Sequence, residues 1–180
     1  MASPTLLGIS GSLRAGATNR KLLREAARLF GDCTFVEADL HMPLYDGDDE
    51  EANGAPEAAK VLYQQIADAD AVLISTPEYN KGPSGALKNA LDWVSRLEGN
   101  PWAGKNVAVM SAAAGRAGGE RAQMVLRGFV VPFRPRIAVG PEIHLAASYN
   151  AFDENGHITN EMALNDITAL MEALKADMAG

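Results

Sequence analysis

The sequence predicts an α/β fold: a three-layer sandwich with a five-stranded parallel sheet in order 2-1-3-4-5 and helices on both faces, in one domain over residues 1–180. Three observations predict it. Short continuous apolar runs, foremost Leu6–Ile9 and Ala71–Ile74, read as buried parallel strands. They alternate with stretches of helical spacing. Polar or glycine-bearing loops follow the first, third and fourth runs, at the carboxyl end of such a sheet, where ligands are held.

The first run leads into Gly8-Ile9-Ser10-Gly11-Ser12-Leu13-Arg14-Ala15-Gly16-Ala17-Thr18-Asn19. A helix start leaves N–H groups unpaired and carries a partial positive charge of roughly half a unit. Ser10, Ser12, Thr18 and Asn19 add short donors, Arg14 adds charge, and Gly11 and Gly16 let the backbone approach a ligand closely. The stretch reads as a phosphate cradle. The P-loop pattern G-x-x-x-x-G-K-[ST] is absent, and the dinucleotide fingerprint fails because Gly8 and Gly11 are three apart. The loop also lacks the thiol of a cysteine-dependent phosphatase. A cradle without lysine, metal or nucleophile holds a phosphate rather than cleaving it, which points to a cofactor tail.

Leu22, Leu23, Ala26, Ala27, Leu29 and Phe30 then recur at helical spacing, with Arg20, Lys21, Arg24, Glu25 and Arg28 on the opposite, polar side and Gly31 as the stop. Cys33–Glu37 reads as a short strand with its lone cysteine buried. Asp39–Asn53 reads as a solvated, mobile loop carrying Asp46, Asp48, Asp49, Glu50 and Glu51. Pro56 opens a helix on Ala59, Leu62, Tyr63 and Ile66, and Ala71–Ser75 is the central strand.

Thr76–Gly85 carries two prolines and two glycines before a helix on Leu87, Leu91 and Val94, so a rigid backbone meets a second helix start. Glu78 reads as part of a turn, and Asn89, Asp92 and Trp93 as structural. Lys105–Ser111 is the fourth strand. Ala112–Gly119 is a small-residue loop suited to covering a flat ring, with Arg116 as a second phosphate ligand. A helix on Gln123, Val125, Leu126 and Phe129 ends at Pro132 and Pro135, before a fifth strand near Arg136–Val139. The chain to Gly156 reads as irregular, and Ala163, Leu164, Ile167, Leu170, Met171 and Leu174 mark a closing helix.

A net charge of −7 argues against nucleic acid as the partner. Nothing approaches the ~18 apolar residues of a membrane span, and Met1–Thr5 shows no targeting pattern, so a cytoplasmic location is expected. His41, His144 and His157 are far apart in sequence with no cysteine partner, so no metal site is expected.

Gly11-Ser12-Leu13-Arg14 through Thr18, with Asn19, resembles the G-S-x-R-x-x-S-x-N phosphate loop of the NADPH-dependent FMN reductase family. Pro77-Glu78-Tyr79-Asn80 followed by Leu87-Lys88-Asn89-Ala90-Leu91-Asp92-Trp93 resembles its P-E-Y-N and L-K-N-A-x-D-W motif, and Ser111–Gly119 its third flavin loop. Thr18 stands where serine is usual, and Pro83-Ser84-Gly85 where Pro-Gly is typical. The resemblance implies a flavodoxin-like fold. It implies an FMN phosphate held by Ser10, Ser12, Arg14, Thr18 and Asn19. It also implies an isoalloxazine ring against Pro77, Glu78, Tyr79 and Asn80 and against Ser111, Ala112 and Gly115. The implied activity takes a hydride from NADPH or NADH and delivers electrons to a quinone, flavin or similar small acceptor, with no catalytic side chain named, in a homodimer or homotetramer. The alternative is an FMN electron carrier like flavodoxin, although the cradle lacks the T-x-T-G-x-T pattern of flavodoxins. A ligand-binding relative that has lost the cofactor is a third reading.

Overall fold

A computed structural model describes residues 3–180. Strands β1 (Thr5–Ser10), β2 (Thr34–Glu37), β3 (Ala71–Thr76) and β4 (Asn106–Ala112) pair in parallel in the order β2-β1-β3-β4. Alternate side chains of these strands point to opposite faces, and both faces are covered. On one, Leu6, Leu73, Ala108 and Met110 pack against α1 (Thr18–Phe30) and α6 (Glu161–Ala179). On the other, Leu7, Ile9, Val72, Ile74, Val107 and Val109 pack against α3 (Glu57–Asp68), α4 (Gly85–Ser95) and α5 (Glu120–Val130). Burying each larger aliphatic side chain contributes about 1.5–3 kcal/mol, so the strands are fixed in place from both sides.

The fifth sheet position differs from the expected single strand. It is shared by β5 (Arg136–Ile137), paired with the start of β4, and β6 (Ile143–Leu145), paired with its end, which makes six strands. Pro141 lies between them and has no N–H to donate to a ladder, so the chain leaves the sheet there and Val139 is 91% exposed. β6 therefore falls inside a stretch that shows no strand periodicity in the sequence.

Three further expectations are corrected. The acidic stretch forms a helix, α2 (Gly47–Asn53), capped by Asp46, which accepts the Asp48 N–H at 2.9 Å. An Arg96–Glu50 ion pair at 2.9 Å and the Tyr45 N–H bond to Asn89 tie this stretch to α4. Cys33 is half-buried and lies just before β2, with its thiol 3.8 Å from the Ala27 carbonyl. Glu25 lies on the buried side of α1, 2% exposed, because Arg28 and the chain at 157–158 supply its hydrogen bonds. Asn89 and Trp93 do serve structure: both donate to the Pro43 carbonyl, at 2.9 and 2.8 Å.

Candidate cofactor site

The loops after β1, β3 and β4 meet at the carboxyl ends of these strands. Gly11 lets the first two touch. A Cβ there would lie 2.9 Å from Pro77 Cδ and 3.1 Å from Ser84 Oγ. Ser84 caps α4, accepting the Leu87 N–H at 3.2 Å, and donates to the Gly11 carbonyl at 2.5 Å. The extra serine of Pro83-Ser84-Gly85 thus joins the β1 loop to the β3 loop.

The cradle itself is open to an anion. Among the described residues, α1 is the one α-helix with neither a side-chain cap nor an acidic residue in its first turn. Ser12 N–H bonds Ser10 Oγ and Ala17 N–H bonds the Arg14 carbonyl, while no protein acceptor among the described residues meets the N–H groups of Leu13 to Gly16. Unpaired N–H groups, a helix N-terminus and the exposed Arg14 form a donor set matched to a phosphate.

Beside the cradle lies a cavity of about 470 Å³ lined by Ser12, Arg14, Thr18, Asn19, Pro77, Glu78, Tyr79 and Ala112, with Gly16, Ala17, Lys21, Ala113, Ala114, Ser148 and Tyr149 completing it. An adjoining cleft of about 600 Å³ shares Glu78, Ala113 and Ala114 and adds Asn80, Lys81, Gly115 and Arg116. Ten of the twelve sequence-named residues are thus brought to one continuous depression.

The other two face elsewhere. Ser10 Oγ lies 3.2 Å from both the carbonyl and the N–H of Ser12, closing the turn from within. Ser111 is fully buried, its hydroxyl 3.3 Å from His144 Nδ1 and 3.4 Å from Gln123 Nε2, toward β6 and α5. Asn19 lines the cavity, yet its amide is used within the fold. Nδ2 donates to the Ala112 carbonyl at 3.0 Å, and Oδ1 accepts from Ala112 N–H at 3.1 Å and Ser75 Oγ at 2.7 Å. It fastens the start of α1 to the ends of β3 and β4.

On the opposite wall, Tyr79 and Gly82 exchange backbone hydrogen bonds at 2.9 and 3.1 Å around Asn80 (φ 51°) and Lys81 (φ 70°). Two left-handed residues make a tight turn that fixes Tyr79 at the rim, 55% exposed. Glu78 accepts the Ala122 N–H at 3.2 Å, near the start of α5, and so fixes the β3 loop to that helix.

Sequence reasoning missed Lys21, Ser148 and Tyr149. Ser148 belongs to a turn in the stretch that shows no periodicity, and it reaches the site through Ala113, whose carbonyl accepts the Ser148 N–H at 3.1 Å. Thr18 Oγ1 lies 3.0 Å from Ser148 Oγ.

The NADPH-dependent FMN reductase family matches residues 4–150. An NAD(P)H-dependent FMN reductase of Pseudomonas aeruginosa is 41% identical over 172 residues, covering 94% of this chain and 92% of the relative. A quinone reductase of Escherichia coli is 35% identical over 167 residues, covering 91% and 89%. Among solved structures, FerB, a flavoenzyme NAD(P)H:(acceptor) oxidoreductase from Paracoccus denitrificans, superposes with a TM-score of 0.87 at 31% identity, covering 98% of this chain and 97% of that one.

Proposed function

The chain belongs to the NADPH-dependent FMN reductase family, and from that premise we propose that it is an FMN-dependent NAD(P)H oxidoreductase whose acceptor is a quinone, a flavin or a similar small molecule. The observation that carries the reading is the uncapped start of α1 with its unpaired N–H groups, opening on a cavity between three loops. The phosphate of FMN would be held by Ser12, Arg14, Thr18 and the backbone of residues 13–16. Ser10 and Asn19 would shape that cradle from behind. Pro77 to Asn80 and Ala112 to Gly115 would flank the ring, and Ser111 would support the second of these segments from beneath.

Bound FMN supplies hydride acceptance from NAD(P)H and electron delivery to the acceptor, summing to NAD(P)H + H⁺ + quinone → NAD(P)⁺ + hydroquinone. The side chains bind and orient. Arg14 supplies charge to the phosphate, and Arg116 and Lys81, both exposed on the adjoining cleft, supply charge where an anionic nicotinamide cofactor enters. A charge-assisted hydrogen bond nets ~1.5–3 kcal/mol, and micromolar binding needs ~8 kcal/mol, so a few phosphate contacts suffice to anchor FMN. The family resemblance also supports a homodimer or homotetramer, measurable by light scattering.

The test is NADPH and NADH consumption by the FMN-loaded protein with a benzoquinone and no second protein. Turnover supports the reductase. Absence of turnover, restored by a separate reductase, would identify an electron carrier instead.

A further inference from the structure

Helix α1 meets the segment after β6 at three points on one of its faces. Thr18, Lys21 and Glu25 stand at i, i+3 and i+7, a span of about 10 Å along the axis. Thr18 contacts Ser148 through the two hydroxyls at 3.0 Å. Lys21 Nζ lies 5.6 Å from the centre of the Phe152 ring. Glu25 makes the third contact: Oε1 accepts the Ile158 N–H at 3.3 Å, and Oε2 lies 3.1 Å from His157 Nδ1.

A carboxylate 2% exposed is costly unless its hydrogen bonds are met. Arg28 meets part of that need with two bonds at 2.8 and 2.9 Å, and the hairpin meets the rest. The hairpin is itself closed by a Phe152–Ile158 bridge, by Asp153 N–H to the His157 carbonyl at 2.8 Å, and by Thr159 N–H to the Ala151 carbonyl at 3.1 Å. Its near end runs directly into the Ser148–Asn150 turn, whose Ser148 and Tyr149 line the cofactor cavity.

We propose that Glu25 is a positioning residue: it clamps the 151–159 hairpin to α1 and thereby holds Ser148 and Tyr149 as the outer wall on the phosphate side of the cofactor pocket. The proposal rests on the FMN reading above. It gives a buried hydrogen-bond acceptor two turns along α1 from the cradle control over how firmly the cofactor is kept.

The experiment measures FMN affinity of the apoprotein by flavin fluorescence, folding stability in urea, and hydrogen exchange at the Ser148 amide, for wild type, Glu25→Gln, Glu25→Ala, Ser148→Ala and the Glu25→Ala/Ser148→Ala double variant. Glu25→Ala is expected to weaken FMN binding about 10-fold and to speed Ser148 exchange, and Glu25→Gln, which still accepts the Ile158 N–H, to recover most of both. In the Ser148→Ala background the loss from Glu25→Ala should shrink to about 3-fold, since residues acting through one wall are not additive. Lower stability with wild-type FMN affinity and wild-type Ser148 exchange would overturn the proposal, as would full additivity in the double variant. Should Glu25→Ala fail to fold, His157→Ala, at an exposed side chain, must produce the same pattern at smaller amplitude, and an unchanged affinity and exchange would overturn the clamp. If wild type binds no FMN, the cofactor reading fails, and Ser148 exchange still decides the clamp.

Discussion

The two sides of the candidate cofactor cavity are built in opposite ways. The cradle after β1 is one continuous stretch, residues 10–19, and its donors come from its own backbone and the first turn of α1. The wall beside it is assembled from residues 112–119 and 148–149 and, behind them, β6 and the hairpin that bonds Glu25. Those pieces meet only through long-range bonds such as Ser148 N–H to the Ala113 carbonyl and Ala113 N–H to the Leu145 carbonyl, each 3.1 Å. A binding loop that is contiguous has its chemistry written in local spacing, whereas a wall made by tertiary contact can be moved from a distance.

This contrast predicts its largest effect in the cradle. Ser12→Ala/Arg14→Ala removes a short donor and the nearest positive charge, and at ~1.5–3 kcal/mol per charge-assisted bond FMN affinity should fall by about 100-fold or more. The urea midpoint should stay near wild type, because Arg14 is exposed and makes no ion pair among the described residues. A comparable loss of stability would show that the cradle is part of the fold rather than an open site.

Gly118→Ala attacks the assembled wall and should give the next effect. Gly118 has φ +59°, and a Cβ there would overlap the His144 carbonyl, so the backbone must move. We expect a stability loss of about 2–3 kcal/mol in urea together with roughly 10-fold weaker FMN binding, in contrast to the cradle variant, which loses affinity alone. Ser148→Ala should be milder. Removing the hydroxyl pair with Thr18 costs about 0.5–1.5 kcal/mol of stability, and we expect FMN affinity to fall roughly 3-fold by the same titration.

The smallest effect is a pH dependence. Burial alone would raise the Glu25 pKa, but the bonds from Arg28, His157 and the Ile158 N–H outweigh it and hold the carboxyl below its ordinary value. A group lowered in the folded state stabilises fully above its unfolded pKa and loses that contribution as pH falls through the folded one. Stability of the wild type should therefore decline on acidification below about pH 4.5 more steeply than that of Glu25→Gln, as read by thermal unfolding across the acid range. Equal slopes would show that the Glu25 charge contributes nothing to folding stability in this range.

The legibility of the site follows the same division. Strand positions were readable because β1, β3 and β4 are apolar on both faces, and the cradle because its small donors sit beside a helix start. Glu25 was misread because helical periodicity sorts residues by polarity: its pairing with Arg28 looks like an exposed i,i+3 pair, and the partners that bury it lie 132 and 133 residues away. Asn19 was expected to face a phosphate because its bonds to Ala112, 93 residues distant, leave no trace in spacing. Ser148 and Tyr149 were missed because a three-residue turn just after β6 has neither a period of 2 nor of 3.6. The acidic α2 hid for a related reason, since all its side chains avoid the core and its order comes from a cap and from Arg96.

The measurement that bears most directly on the whole account is the visible absorption spectrum of the protein after FMN is added and the excess removed, followed by NADPH or NADH without oxygen. The account predicts that wild type stays yellow and then bleaches with NADPH or NADH, and that Ser12→Ala/Arg14→Ala emerges colourless. Wild type that retains no flavin, or a double variant that keeps its full colour, would contradict the assignment of the cradle. Retained flavin that stays yellow with both nucleotides would contradict the reductase.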